Sequence, residues 1–233
     1  MKKEEFIKKN PLRILEKSIP DGLQKGDLAV IAAPKGLGKT ACLVYIGTVS
    51  LVEGKQVIHV SFSSRTDHII KWYEDIFREL AKKRSLENAN EIYDEMIRSR
   101  VIMNFNQYGL APGQLVRSLR SMIKDGNFAA DLIMVDGYKL SKENVENTKH
   151  LKELASEMGL CVWFSASTQL GVALASGAVP EELKAHMEYV DILITLAEKK
   201  DYIALQLVKD HIAAHEELPV RLDPRTLLIA EEE

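Results

Sequence analysis

Ala33-Pro34-Lys35-Gly36-Leu37-Gly38-Lys39-Thr40 lies between a mostly apolar run, Asp27-Leu28-Ala29-Val30-Ile31-Ala32, and a helical stretch from Lys39 to about Leu51. The apolar run follows the turn signal Gln24-Lys25-Gly26 and is short enough to be a buried strand. Strand, glycine-bearing loop and helix, in that order, decide the fold, because this unit opens a parallel α/β sheet. Within the loop, Gly38, Lys39 and Thr40 match the last three positions of the GxxxxGK[ST] pattern, Gly36 falls at a free position and Ala33 stands at the first glycine. The physics survives that replacement. Backbone N–H groups from Gly36 to Lys39 form an anion nest at a helix start, whose dipole favours negative charge. Gly36 and Gly38 allow the backbone angles and the close approach that a side chain would block. Pro34 donates no N–H and only shapes the loop. The segment Pro34, Lys35, Gly36, Leu37, Gly38, Lys39 and Thr40 is therefore expected to cradle phosphates, with Lys39 on the β- and γ-groups and the Thr40 hydroxyl on Mg²⁺. Lys39 is expected to carry no packing role of its own.

Outward from this unit, apolar strands and helices alternate. Gln56–Phe62 is a second strand, residues 66–84 and 86–99 are helical, and Val101-Ile102-Met103 is a short third strand. Pro112 to about Lys124 is helical, and Asp131–Asp136 is a fourth strand. Ser141 caps a helix that ends at Met158 with Gly159 just beyond it, and Leu160–Ser165 is a fifth strand. Near-continuous apolar strands separated by helices predict a mostly parallel sheet covered on both faces. Tyr189–Leu196, Tyr202–Val208 and Val220-Arg221-Leu222 then follow with short polar breaks, which predicts extra, partly antiparallel strands at the C-terminal side. Residues 1–20 read as an N-terminal arm or short helix, and residues 21–230 as one nucleotide-binding domain.

Asp136 ends the fourth strand, where a carboxylate can hold Mg²⁺ directly or through its waters. Ligands of open α/β sheets bind at the carboxyl ends of the strands, so Thr40 and Asp136 are expected to meet. Bulk composition excludes little. At 233 residues, net charge −3, the chain has no global basic character that would argue for nucleic acid. Cys42 and Cys161 show no metal-ligand spacing and read as reduced core thiols. A charged start without an apolar stretch behind it argues against a secretory signal, and no run is long enough to span a membrane. The expected location is cytoplasmic. His211 and His215 are four residues apart but without an evident third ligand, so a solvated or structural role is expected.

The segment from Gly22-Leu23-Gln24-Lys25-Gly26-Asp27-Leu28 into the phosphate loop resembles the entry to the RecA-like ATPase core of DnaB-type replicative helicases, and more distantly KaiC- and RadA-like proteins. An alanine at the first loop glycine is common in that family. The Asp136 strand is similar to its second nucleotide motif, and Ser165-Ala166-Ser167-Thr168-Gln169-Leu170 to the strand that ends in a glutamine sensor. Val208-Lys209-Asp210-His211 and Leu222–Leu228 resemble its closing strands, so the likeness runs from about Ile19 to about Ile229. It implies a RecA-like α/β fold, bound ATP or another nucleoside triphosphate with Mg²⁺, Lys39 and Asp136 as catalytic groups, Gln169 as γ-phosphate sensor, and a homo-oligomer or protein partner.

Two departures bear on turnover. Where the family places a catalytic glutamate after the second strand, the sequence offers Ser63 or Ser64, and a hydroxyl is no general base near neutral pH without an activating neighbour. Asp67 and Glu74 are the nearby carboxylates that could substitute. Where the family places a Lys-x-Arg finger, the triplet is Lys209-Asp210-His211. The sequence shows no counterpart of the N-terminal helical domain or primase-facing linker of a replicative helicase, which argues against a processive helicase. The expected activity is a slow or partner-dependent ATPase; the alternative is a non-hydrolysing pseudo-ATPase acting as a nucleotide-dependent scaffold or regulator.

Overall fold

In a computed structural model of the chain, the described residues are 1–19, 22–62, 65–106, 113–168, 178–211, 216–226 and 228–231. Strands β1 (Leu28–Pro34), β2 (Val57–Ser61), β3 (Arg100–Asn104), β4 (Leu132–Asp136), β5 (Cys161–Thr168), β6 (Ile192–Glu198), β7 (Ile203–Lys209), β8 (Glu216–Leu222) and β9 (Ile229–Glu231) form one sheet in the order β3-β2-β4-β5-β1-β6-β7-β8-β9. From β3 to β6 every pairing is parallel, and from β6 to β9 every pairing is antiparallel. The expected mostly parallel sheet with antiparallel C-terminal strands is the one observed. β9 is an addition that its three-residue length hid from periodicity.

The sheet has two apolar faces. Along β1, Ala29, Ile31 and Ala33 face one core, while Leu28, Val30 and Ala32 face the other. On the first face lies α3 (Lys39–Val52), flanked by α4 (Thr66–Lys83) and α5 (Ala89–Arg98). Every residue of α3 but Thr40 is buried. So complete a burial needs cover from several sides. α1 (Lys3–Lys8) and α2 (Leu12–Ser18) bring Phe6, Leu12 and Leu15, and the antiparallel strands bring Leu205, Leu218, Val220 and Leu222. The buried Asn10 carbonyl oxygen ties the arm down, accepting from the Tyr45 hydroxyl at 2.9 Å and from the Leu12 N–H at 2.9 Å. The second face is covered by α6 (Gln114–Lys124) and α7 (Val145–Met158), through Leu115, Leu119, Leu151 and Leu154. Ser141 begins a 3₁₀ turn, Lys142–Asn144, that leads into α7, and Gly159 closes that helix at φ 64°.

Both cysteines are free, but only Cys42 is a core residue; Cys161 is half-buried, its thiol donating to the Gln24 carbonyl at 3.0 Å. Burial pushes the Cys42 thiol up to about 12 and that of Cys161 up to about 11, which keeps both as thiols near neutral pH.

α4 is registered on α3 by one tight contact. A Cβ at Gly47 would lie 2.5 Å from the Tyr73 hydroxyl, and Tyr73 is fully buried. Gly47→Ala gains roughly 1 kcal/mol of helix propensity but overpacks this contact, at a cost of roughly 1–3 kcal/mol. The variant should lose up to about 2 kcal/mol net, read as a lower urea midpoint with an unchanged slope.

Candidate functional site

The glycine-bearing loop ahead of Lys39 joins the carboxyl end of β1 to the start of α3. Gly36 and Gly38 take φ of +96° and +85°, the left-handed region the sequence required of them. Gly38 is doubly constrained, since a Cβ there would lie 2.5 Å from Leu222 Cδ2. β8 therefore closes on the loop itself.

Lys39 is not the packing-free side chain anticipated. It is 8% exposed, and its ammonium donates to the Ala33 and Pro34 carbonyls at 2.9 Å each. A lysine this short of water must satisfy its protons locally, and the loop carbonyls are the nearest acceptors. Burial pulls its proton affinity below the usual value, opposed by the negative charge of Asp136.

Thr40 and Asp136 meet as expected. The Thr40 hydroxyl lies 3.1 Å from each Asp136 carboxylate oxygen, and Asp136 is 1% exposed. Ser165, given no separate role from the sequence, completes the arrangement from β5. Its hydroxyl donates to Asp136 Oδ1 at 2.6 Å and accepts from the Gly137 N–H at 2.9 Å. The signal was there: a hydroxyl breaking the apolar run Leu160–Phe164, one strand away from Asp136. Two hard oxygen donors side by side, one of them a buried carboxylate, are a donor set that suits Mg²⁺, which keeps most of its shell for waters and substrate phosphates.

Beneath this site runs a buried polar layer. His59 on β2 is inaccessible, with Nδ1 3.1 Å from the Tyr73 hydroxyl and no partner for Nε2 among the described residues. The Arg100 guanidinium sits 4.4 Å above the Tyr73 ring. Burial holds the His59 imidazole well below its usual value, so it is neutral.

Each of the two substitute carboxylates pairs with a neighbouring arginine. Asp67 is exposed and pairs with Arg65 at 3.1 Å, while Glu74 pairs with Arg78 and lies near Tyr93 of α5, whose phenol pKa is raised by burial first and by the Glu74 charge second. Ser63, Ser64, Gln169 and His215 lie outside the described residues, as does Pro112 at the expected start of α6.

The triplet Lys209-Asp210-His211 sits at the amino end of the parallel strands, opposite the phosphate loop, and is bound within its own chain. The Lys209 ammonium donates to the carbonyls of Val190 and, at 2.8 Å, Met187. His211 Nε2 lies 3.1 Å from Asp27 Oδ2. Asp27, Asp191 and His211 gather their ligand atoms within 4.8 Å, a cluster the histidine spacing did not reveal. Its cation is already present: the Lys152 ammonium lies 2.6 Å from Asp191 and 4.0 Å from Asp27.

A cavity of about 550 Å³ opens between α4 and the turn after β8, lined by His68, Lys71, Trp72, Asp75, Arg225 and Thr226 among others. It lies a few residues beyond Leu222, the β8 side chain that packs on the loop.

The strand order and the loop position can be compared with known structures. The chain superposes on a solved structure described as an ATPase domain with a TM-score of 0.67 at 16% identity, over 92% of this chain and 88% of that one. It superposes on a DnaB-like replicative helicase, a structure described with its interactions with primase, with a TM-score of 0.68 at 16% identity. That match covers 92% of this chain and 59% of the helicase. The chain shares its fold with RecA-like domains of the DnaB type. No protein-family model matches the chain, and no curated protein does. Among the described residues, no helix is long and apolar enough to cross a membrane.

Proposed function

We propose that the protein binds a purine nucleoside triphosphate, ATP or a close relative, with Mg²⁺, and hydrolyses it slowly or only with a partner. The observation that carries this reading is the juxtaposition of Lys39, Thr40 and Asp136 at the carboxyl ends of β1 and β4, with Thr40 and Asp136 3.1 Å apart. Pro34 to Thr40 would wrap the phosphates, and Thr40 and Asp136 would hold Mg²⁺, which when bound neutralises charge on the β- and γ-oxygens. Ser165 keeps the Asp136 carboxylate turned toward Thr40. Gln169 is proposed as the γ-phosphate sensor. The groove between α4 and Arg225 is the space into which a base would extend from the loop, with the Trp72 ring as a stacking face.

A second reading, a pseudo-ATPase whose bound state is the output, is favoured by the contacts of Lys209 and His211. Both are spent on their own chain. Assembly with another copy or a protein partner, and a cytoplasmic location, belong to the same proposal. A global basic character is absent at net charge −3, so single-stranded DNA is not expected as a ligand at physiological salt.

Calorimetric titration with ATP, with and without Mg²⁺, tests the site. Wild type should bind, and Mg²⁺ should strengthen binding. Asp136→Asn should lose most of the Mg²⁺ contribution while keeping Mg²⁺-free affinity. Equal Mg²⁺ dependence in both proteins would remove Asp136 from the site.

A further inference from the structure

At the amino ends of the strands, away from the phosphate loop, α2 lies over the first residues of β4 and β5 and encloses a cavity of about 230 Å³. Its walls include Leu12, Leu15 and Ile19 in and just after α2, Ile46 of α3 and Trp163 of β5, all at most 3% exposed. Protein interiors pack with few voids larger than a water molecule. This one has room for about seven or eight water- or methylene-sized groups, at roughly 30 Å³ each.

Two donors set it apart from a packing defect. The Trp163 indole N–H is buried and has no acceptor among the described residues, although buried polar atoms are as a rule hydrogen-bonded. At the rim, the Lys25 ammonium makes no hydrogen bond or ion pair with the described residues. The other charged groups of the rim are committed: Lys55 to Glu53 at 2.9 Å, Glu16 to Arg13 at 3.1 Å, and Asp131 to the Gln56 N–H at 2.8 Å. What remains is a mostly apolar pocket with one uncommitted cation and two uncommitted neutral donors, the Trp163 indole and the Ser50 hydroxyl.

We propose that this cavity is a binding site for a short aliphatic carboxylate. The chain lies along Leu12, Leu15, Ile19 and Ile46, and the carboxylate supplies acceptors to the Lys25 ammonium and the Trp163 indole. Because α2 forms one wall, an occupied cavity fastens the N-terminal arm to the sheet.

The sequence contains two tryptophans, so Trp72→Phe leaves Trp163 as the sole indole reporter. Titration of this variant with sodium octanoate should give a saturable change in Trp163 emission. Lys25 is exposed, so Lys25→Glu, added to the same background, should keep its circular dichroism spectrum. It should weaken octanoate about tenfold or more, as loss of a charge-assisted hydrogen bond worth roughly 1.5–3 kcal/mol would. In the wild-type protein, followed by calorimetry, ATP should not displace the octanoate. A Trp163 signal that does not saturate, an unchanged affinity in the Lys25→Glu protein, or displacement by ATP would each overturn the proposal.

Discussion

Lys39→Ala should weaken ATP binding by about 10- to 100-fold, the equivalent of roughly 1.5–3 kcal/mol for a hydrogen bond to a charged group. The effect is large because Lys39 is the buried cation of the loop, held at the start of α3, whereas Lys35 is exposed. The structure adds a second consequence. The Lys39 ammonium holds the Ala33 and Pro34 carbonyls, so the variant's empty loop should also be looser than the wild-type loop. Hydrogen exchange at the amides of residues 35–38 should quicken in the variant, while the midpoint of global unfolding moves little. Calorimetric titration of ATP into both proteins checks the main effect. Equal affinity would dismiss the phosphate-loop assignment.

Turnover is the second expectation. The purified protein alone should hydrolyse ATP well below the roughly 1–10³ s⁻¹ of ordinary enzymes. Binding phosphates does not by itself orient a water or stabilise charge spreading over the γ-phosphoryl oxygens. For the first task, Asp67 and Glu74 are committed to Arg65 and Arg78. For the second, an arginine finger is worth roughly 10³–10⁵ in rate where one is present. His211→Arg alone should leave the rate unchanged, because an arginine there meets Asp27 of its own chain first. Ser63→Glu combined with His211→Arg should raise it only if copies assemble so that one triplet faces a neighbour's loop. A steady-state phosphate-release assay decides the matter: a wild-type rate on the order of 1 s⁻¹ or more, inside that ordinary range, would eliminate the pseudo-ATPase reading.

The fold was legible because its central strands are buried on both faces and so read as unbroken apolar runs; β1, β2, β4 and β5 each lie within a residue or two of where the runs put them, apart from the carboxyl-end extensions of β1 and β5. The pairing of Thr40 with Asp136 was legible for a related reason, since parallel strands bring their carboxyl ends to one edge. The lysine was harder. A cation at a helix start is ordinarily solvated, and only the folded loop, with its Ala33 and Pro34 carbonyls turned to the ammonium, shows Lys39 to be buried. The destinations of Lys209 and His211 were hidden as well; Asp27, the partner of His211 across the sheet, lies 184 residues from it in sequence. Local spacing carries no trace of such a contact. Ser165 stood between these extremes, visible as a polar interruption but without a partner until β4 and β5 were placed side by side.

The packing of Leu222 against Gly38 makes the eighth strand and the phosphate loop a single mechanical unit. Any force, partner or bound molecule that draws β8 outward removes the floor on which the loop turns. Conversely, a nucleotide that stiffens the loop stiffens the strand resting on it.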